Sequence, residues 1–415
     1  MVNKKKILIA GGGIGGLTAA LRLHQAGFEV QVFESVKTIE PLGVGINTLP
    51  HCVRVLTNLG LQEKLQSNAV ETSDLVYFNR LGQQFWSEPR GRFAGYKWPQ
   101  FSIHRGTLQM ILFDEVIRRI GPGAILSNHH LDDFSQDPSG ITAHFIDKET
   151  GETVHTETGD LLIGADGINS VVRSLLYPGK GIPVYSENVL YRGTTMMKPF
   201  LNGQSMIMVG SNRLKMVAYP ILPVNDTDGR QLINWVANVK EGKSALTVRD
   251  WNRESDKGRL LDLYGSWQFD WLDVPEMIRG AGAIYEFPMS DRDPLSRWSF
   301  GRVTLLGDAA HPMYPIGSNG ASQAILDADW LSQCLLTHDD VTQALLAYDT
   351  ERVPATGKIV LQNRAKGPDQ IMDLMEDRFP HGFEAHEIPH QELKKIMDQY
   401  RKIAGFDRES LNQMQ

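Results

Sequence analysis

The sequence predicts an α/β protein: a Rossmann-like domain, interrupted by an inserted, mainly antiparallel β-sheet and followed by C-terminal helices. Three observations predict it. Residues 5–34 read as strand, glycine turn, helix and strand. Two later apolar runs, each leaving through glycine into a helix-like stretch, read as further strands of the same sheet. Between them lies a long stretch of alternating strands and turns.

The elements follow in order. Lys6–Ala10 is a short apolar run, as a buried parallel strand requires. Ile14–Ala26 carries Leu17, Ala20, Leu21 and Leu23 at helical spacing, and Gly27 stands where a helix C-terminus ends. Phe28–Phe33 alternates as a second strand and ends at Glu34. Asp160–Ile163 and Arg302–Leu306 are the later strands. The insert shows strands at Ser205–Val209, Leu214–Ile221 and Gln231–Val239. In the last, Ile233, Trp235, Ala237 and Val239 make one apolar face, and Leu232, Asn234, Val236 and Asn238 a mixed one. Residues 355–415 are charged and helix-rich.

Composition narrows the function. A net charge of −7 argues against a nucleic-acid binder, which needs a basic face. Cys52 and Cys334 form no CxxC and no ligand-spaced pair with histidine, so two reduced thiols are expected and no metal site. No segment reaches the ~18 apolar residues of a membrane span. The expectation is a cytoplasmic protein without a membrane or nucleic-acid partner.

Gly11, Gly13 and Gly16 form a GxGxxG between strand and helix. Gly11 permits the tight turn, Gly13 lets a pyrophosphate approach the backbone, and Gly16 lets the helix pack on the strand. The helix N-terminus, with Ile14 and Gly15, then offers free N–H groups to phosphate. Glu34, at the end of the second strand, is placed to accept ribose hydroxyls. These features predict a bound dinucleotide. Two more motifs, each after a strand, complete the pattern: Gly164-Ala165-Asp166-Gly167 and Gly307-Asp308-Ala309-Ala310-His311-Pro312. The second leads through Pro315, Gly317, Ser318, Asn319, Gly320 and Ala321 into a helix.

With these three motifs in this order, the chain resembles the FAD-dependent aromatic hydroxylases of the para-hydroxybenzoate hydroxylase fold, the class A flavoprotein monooxygenases, over roughly residues 5–355. Four further segments, Pro41–Asn47, Trp86–Gly91, Ser102–Gly106 and Asp291–Leu295, are similar to the phenazine-carboxylate hydroxylases. Salicylate hydroxylases share the broader pattern. The resemblance implies an FAD-binding domain from residues 1–75, 102–180 and 286–355, a substrate domain from 76–101 and 181–285, and a C-terminal helical segment over 356–415.

It also implies roles. Asp308 bonds an FAD ribitol hydroxyl, and Arg105 faces the pyrophosphate. Val44 and Gly45 lie against the isoalloxazine, and Gly317–Gly320 present N–H groups to its anionic edge. Asp166 supports the site, with Arg173 either its anchor or a solvated side chain. His311 and His104 are expected to pack beneath and beside the cofactor rather than act as bases. NADH or NADPH is the reductant and dioxygen the oxidant, with oxygen transferred from a flavin C4a-hydroperoxide to a small aromatic or polycyclic, phenazine- or salicylate-like substrate. Because the cofactor carries the chemistry, no catalytic side chain is assigned. Candidates for the substrate wall are Arg192, Met208, Tyr219, Trp235 and Pro315. Arg192 suits a substrate carboxylate, Tyr219 a phenol, and Met206, Met208 and Met216 an adaptable wall. Other reactions on the same scaffold, such as inactivation of a polycyclic antibiotic, and a low-turnover flavin sensor remain alternatives. Monomer and homodimer are both compatible with the sequence. A thioredoxin-like C-terminal domain is not expected, nor is halogenation, since no Trp-x-Trp-x-Ile motif occurs.

Overall fold

The computed structural model describes residues 5–41, 43–179, 183–242 and 253–414. The five-stranded sheet is parallel throughout, in the order Val303–Leu305, Leu161–Gly164, Lys6–Ala10, Glu29–Phe33, Ile125–Leu126. Its central strand is apolar after Lys6, and Ile7, Leu8 and Ile9 are all buried, as a strand covered on both faces must be. The helix Ile14–Gln25 packs against the helix Gly320–Thr337 on one side of this sheet. A three-stranded antiparallel sheet, His130–Gln136, Ile141–Ile146 and Thr153–Gly159, lies on the other side, where Phe145 stacks on Phe33.

The second large layer is an eight-stranded sheet. Its order is Arg253–Glu254, Ile284–Asp291, Val184–Met197, Gln231–Lys240, Leu214–Pro220, Ser205–Gly210, Asp74–Phe78, Gln84–Pro89. All its pairings are antiparallel except that of Ser205–Gly210 with Asp74–Phe78. Two expected boundaries cut strands: Asp74–Phe78 spans the division at 75, and Ile284–Asp291 that at 285. Sheet pairing is set by long-range contacts that sequence spacing does not reveal. Residues 243–252, which the expected insert includes, lie outside the described residues. So does Leu42, within the Pro41–Asn47 segment.

One face of this sheet closes a core with the helices Lys257–Tyr264 and Val274–Arg279. The other face turns toward the parallel-sheet domain. The C-terminal chain covers part of it, with Ile371, Met372, Met375, Leu393 and Met397 packed on Leu75, Tyr77, Met206, Met208 and Tyr219. The helix Val341–Arg364 runs through Pro354, so the division expected at 355 falls inside a helix. Among the described residues no helix is long and apolar enough to cross a membrane, and no group of metal-ligating side chains occurs. Both cysteines are free and buried.

Candidate functional site

A cavity of about 740 Å³ separates the two large sheets. One end is backbone-rich and is built by the glycine turn. A side chain on Gly11 (φ +110°) would meet the Ala165 carbonyl oxygen at 2.3 Å, so the first motif closes on the Asp166-Gly167 loop only through glycine. A side chain on Gly16 would strike the Gly11 carbonyl at 2.0 Å. Gly13 has nothing within 4 Å of its β-position and borders the cavity, with Ile14 and Gly15 next to it.

Glu34 stands at its strand end but does not line the cavity. Its carboxylate accepts from the Gly12 N–H at 2.7 Å, and from the Ser35 hydroxyl and Val36 N–H, both at 3.0 Å. Asp166 also stands back from the cavity. It accepts from the Val171 and Val172 N–H groups at 2.7 and 3.2 Å, capping the helix Val171–Leu176. Burial pushes its pKa up against these bonds. Neither alternative expected for Arg173 is found: it is buried and donates to the carbonyls of Ala309 and Ala310, at 3.1 and 3.0 Å. It therefore ties the loop of the second motif to that of the third. Burial lowers its pKa to about 10.

The third motif presents the Asp308 carboxylate to the cavity, without a hydrogen-bond partner among the described residues. It is exposed to the cavity, and the bulk of protein around it pushes its pKa up. His311 lies beneath, buried, with Nε2 2.6 Å from Asp327. Asp327 also accepts from the Gly307 N–H at 3.0 Å and Arg352 Nε at 2.7 Å. Burial opposes ionisation of Asp327, but His311 and Arg352 outweigh it and hold the pKa low. His311 thus packs and bonds under the loop and does not border the cavity. His104 bonds the Gly43 carbonyl at 3.0 Å.

Pro315, Ser318, Asn319, Gly320 and Ala321 border the cavity at the start of the helix Gly320–Thr337. Gly317 (φ +69°) faces away from it, against Tyr400. Gly45 is held by the eight-stranded sheet: its N–H donates to Asn234 at 2.7 Å and its carbonyl accepts from the Tyr219 hydroxyl at 2.8 Å. Val44, its neighbour, does not line the cavity.

The sheet forms the cavity floor. Arg192, Val236, Val217 and Met208 align across four strands, with Asn234, Tyr219 and Met206 in an adjacent row. Leu190, Phe287, Met289 and Tyr314 close the side. Trp235 is a correction: it faces the opposite core, over Gly193, and donates to Thr195 at 3.1 Å. Strand alternation puts Val236 and Asn238 in the cavity and Trp235 behind it. Met216 is corrected for the same reason, since its partner Val209 belongs to that same far core. The mixed face of Gln231–Lys240, not its apolar face, looks into the site. Tyr219 needs revision too. Its proton is engaged by Gly45, so it offers the cavity an acceptor, and burial pushes its pKa upward.

Two cations in the cavity, Arg105 and Arg192, make no salt bridge among the described residues, although Arg105 acts on the Asp308 carboxylate through its charge. The Arg192 guanidinium lies 5.5 Å from the Phe287 ring, and burial lowers its pKa. Farther out, Lys215, Asn238 and Asp369 also line the cavity, and none of them belongs to a sequence motif. Asp369 comes from the C-terminal segment, which no motif connects to the site.

An open glycine cradle, with a carboxylate and an arginine that make no hydrogen bond to the described residues, fits a dinucleotide with a polyhydroxylated linker. The chain matches the family model described as FAD binding domain over residues 4–261 and 273–363, and it belongs to that family of FAD-binding proteins. It is 43% identical over 361 residues to the phenazine 1,6-dicarboxylic acid hydroxylase PhzS of Lysobacter antibioticus, covering 86% of this chain and 89% of that one. It is 31% identical to the 3-hydroxybenzoate 6-hydroxylase of Polaromonas naphthalenivorans, over 91% of this chain and 93% of that one. A salicylate hydroxylase in complex with substrate shares the fold, with a TM-score of 0.76 at 22% identity, covering 100% of this chain and 98% of the other.

Proposed function

We propose that this protein is an FAD-dependent monooxygenase that hydroxylates a small planar aromatic carboxylate of the phenazine type. It consumes NADH or NADPH and dioxygen, and releases water with the hydroxylated product. The observation that carries the reading is Arg192: a guanidinium without an acidic partner among the described residues, set in an apolar compartment opposite the glycine cradle. A desolvated cation of this kind calls for an anionic ligand, and a guanidinium binds a carboxylate through two parallel hydrogen bonds. The similarity to the phenazine 1,6-dicarboxylic acid hydroxylase supports the choice of ring.

FAD would be held at Gly13–Gly15, Arg105, Asp308 and Ser318–Ala321, with Gly11, Gly16, Glu34, Asp166, Gly167 and Gly317 shaping the loops around it. When bound, it supplies the electron transfer and oxygen chemistry. The protein's own part is placement. Arg192 fixes one end of the substrate. Met206, Met208, Val217 and Val236 make a flat, deformable floor that excludes water. Tyr219 holds Gly45 at the junction of the two compartments and presents an acceptor lone pair to a substrate hydroxyl. Mass spectrometry of the product tests the reading: one added oxygen from dioxygen, in step with NAD(P)H consumed, is expected. Peroxide as the sole product of every aromatic acid tried would contradict it.

A further inference from the structure

The loop before the helix Gly320–Thr337 has an unusual backbone. Gly317 and Ser318 follow each other with φ of +69° and +58°, and the second is not glycine. Left-handed residues in sequence, one bearing a side chain, persist only where the surroundings hold them. Here the restraint comes from one side chain of the C-terminal helix His390–Ile403. The Tyr400 hydroxyl accepts from Asn319 Nδ2 at 2.8 Å and lies 2.9 Å from Asn363 Oδ1 and 3.2 Å from the Ile316 carbonyl. Asn363 in turn donates to the Tyr314 carbonyl at 3.1 Å, and Asn319 to the Gly317 carbonyl at 3.2 Å. The relay therefore grips both ends of the 314–319 loop. Tyr400, Asn319 and Asn363 are all buried, so water does not substitute for any of these bonds. The fit leaves no slack: a β-carbon at Gly317 would sit 2.0 Å from the Tyr400 oxygen.

We infer that Tyr400 is a positioning residue for the flavin: through Asn319 and Gly317 it fixes the direction of the loop N–H groups that border the cavity at Ser318–Ala321. The inference rests on the FAD assignment above. N–H groups at a helix start favour negative charge, and reduced flavin carries more of it than oxidised flavin. A loop held in place therefore raises the reduction potential, and a relaxed loop lowers it. This gives the C-terminal segment, which bears none of the sequence motifs, a part in tuning the cofactor.

The test compares wild type, Tyr400→Phe and Tyr96→Phe, each purified with FAD, by visible spectrum, reduction potential and thermal melting. Tyr96 is the control: its hydroxyl anchors the C-terminal chain through the Phe406 carbonyl at 2.7 Å and lines neither the cavity nor the loop. Losing the relay is expected to weaken the preference for reduced over oxidised FAD about tenfold, a fall of about 30 mV, with a shifted visible spectrum. Tyr96→Phe is expected to keep the wild-type potential. Equal potentials and spectra for wild type and Tyr400→Phe would overturn the inference, as would an equal shift in Tyr96→Phe. Should Tyr400→Phe fail to fold, Asn363→Ala, which breaks the same relay from another helix, is measured against the same expectations. A wild type that takes up no FAD would sink the cofactor assignment and this inference together, whereas unchanged potentials in a yellow protein sink only the latter.

Discussion

The Tyr219 hydroxyl donates to the Gly45 carbonyl at 2.8 Å, and this bond joins the floor of the cavity to the first residue of the strand Gly45–Thr48. Asn234, on the neighbouring strand, grips the same residue through its N–H at 2.7 Å. The eight-stranded sheet is thus fastened, through two of its strands, to the strand Gly45–Thr48 at the edge of the cavity.

Tyr219→Phe leaves a buried carbonyl unpaired and frees the loop. Stability is expected to fall by about 1–2 kcal/mol in denaturant titration. More NAD(P)H should be diverted to peroxide, read by peroxide assay at saturating substrate. A variant as well coupled as wild type would mean that Asn234 alone fixes the loop.

Arg192→Met removes the unpaired guanidinium while keeping an unbranched, flexible side chain. KM for a carboxylated aromatic is expected to rise about 10- to 100-fold, the range for hydrogen bonds to charged groups. An uncharged analogue of the same ring should bind as before or better. Equal losses for both ligands would show that Arg192 shapes the wall rather than reads the carboxylate.

Arg173→Met leaves the Ala309 and Ala310 carbonyls without their donor. FAD titration followed by fluorescence is expected to show about tenfold weaker binding or more, because Asp308 rides on the loop that Arg173 ties down. Unchanged affinity would show that Asp327 and Gly307 hold that loop alone.

The dependence of stability on pH has a defined sign at His51. Burial, with the Arg352 and Arg54 charges nearby, pushes its pKa from the ordinary 6.5 down to about 3. Below pH 6.5 the unfolded chain gains a proton that the folded chain refuses, so stability falls with pH until about pH 3. Replacing it, as in His51→Gln, should flatten the acid limb between pH 6.5 and 4 by roughly 3 kcal/mol, measured by urea unfolding across that range. Parallel acid limbs in variant and wild type would contradict this.

The cofactor end was the more legible part of the sequence. Its geometry depends on glycines that must be glycine: Gly11 against Ala165 and Gly16 against Gly11 leave no room for a β-carbon, and such constraints are written in local order. The substrate end depends on which face of a strand looks where. Ile233, Trp235, Ala237 and Val239 were separable from Asn234, Val236 and Asn238 by alternation, but alternation does not say which set lines a cavity. Two amphipathic helices cover the more apolar set, so Trp235 went into the core. The contributions of Tyr400 and Asp369 had no local signal, since they reach the site from sequence-distant helices and only the packed fold brings them there.

The most direct test of an aromatic hydroxylase is anaerobic bleaching of the flavin band by NADH or NADPH, with and without a phenazine carboxylate. A yellow protein whose reduction is much faster with the aromatic acid present is expected. Equal rates with and without it would contradict an aromatic hydroxylase, and a colourless protein that binds no added FAD would contradict the cofactor assignment itself.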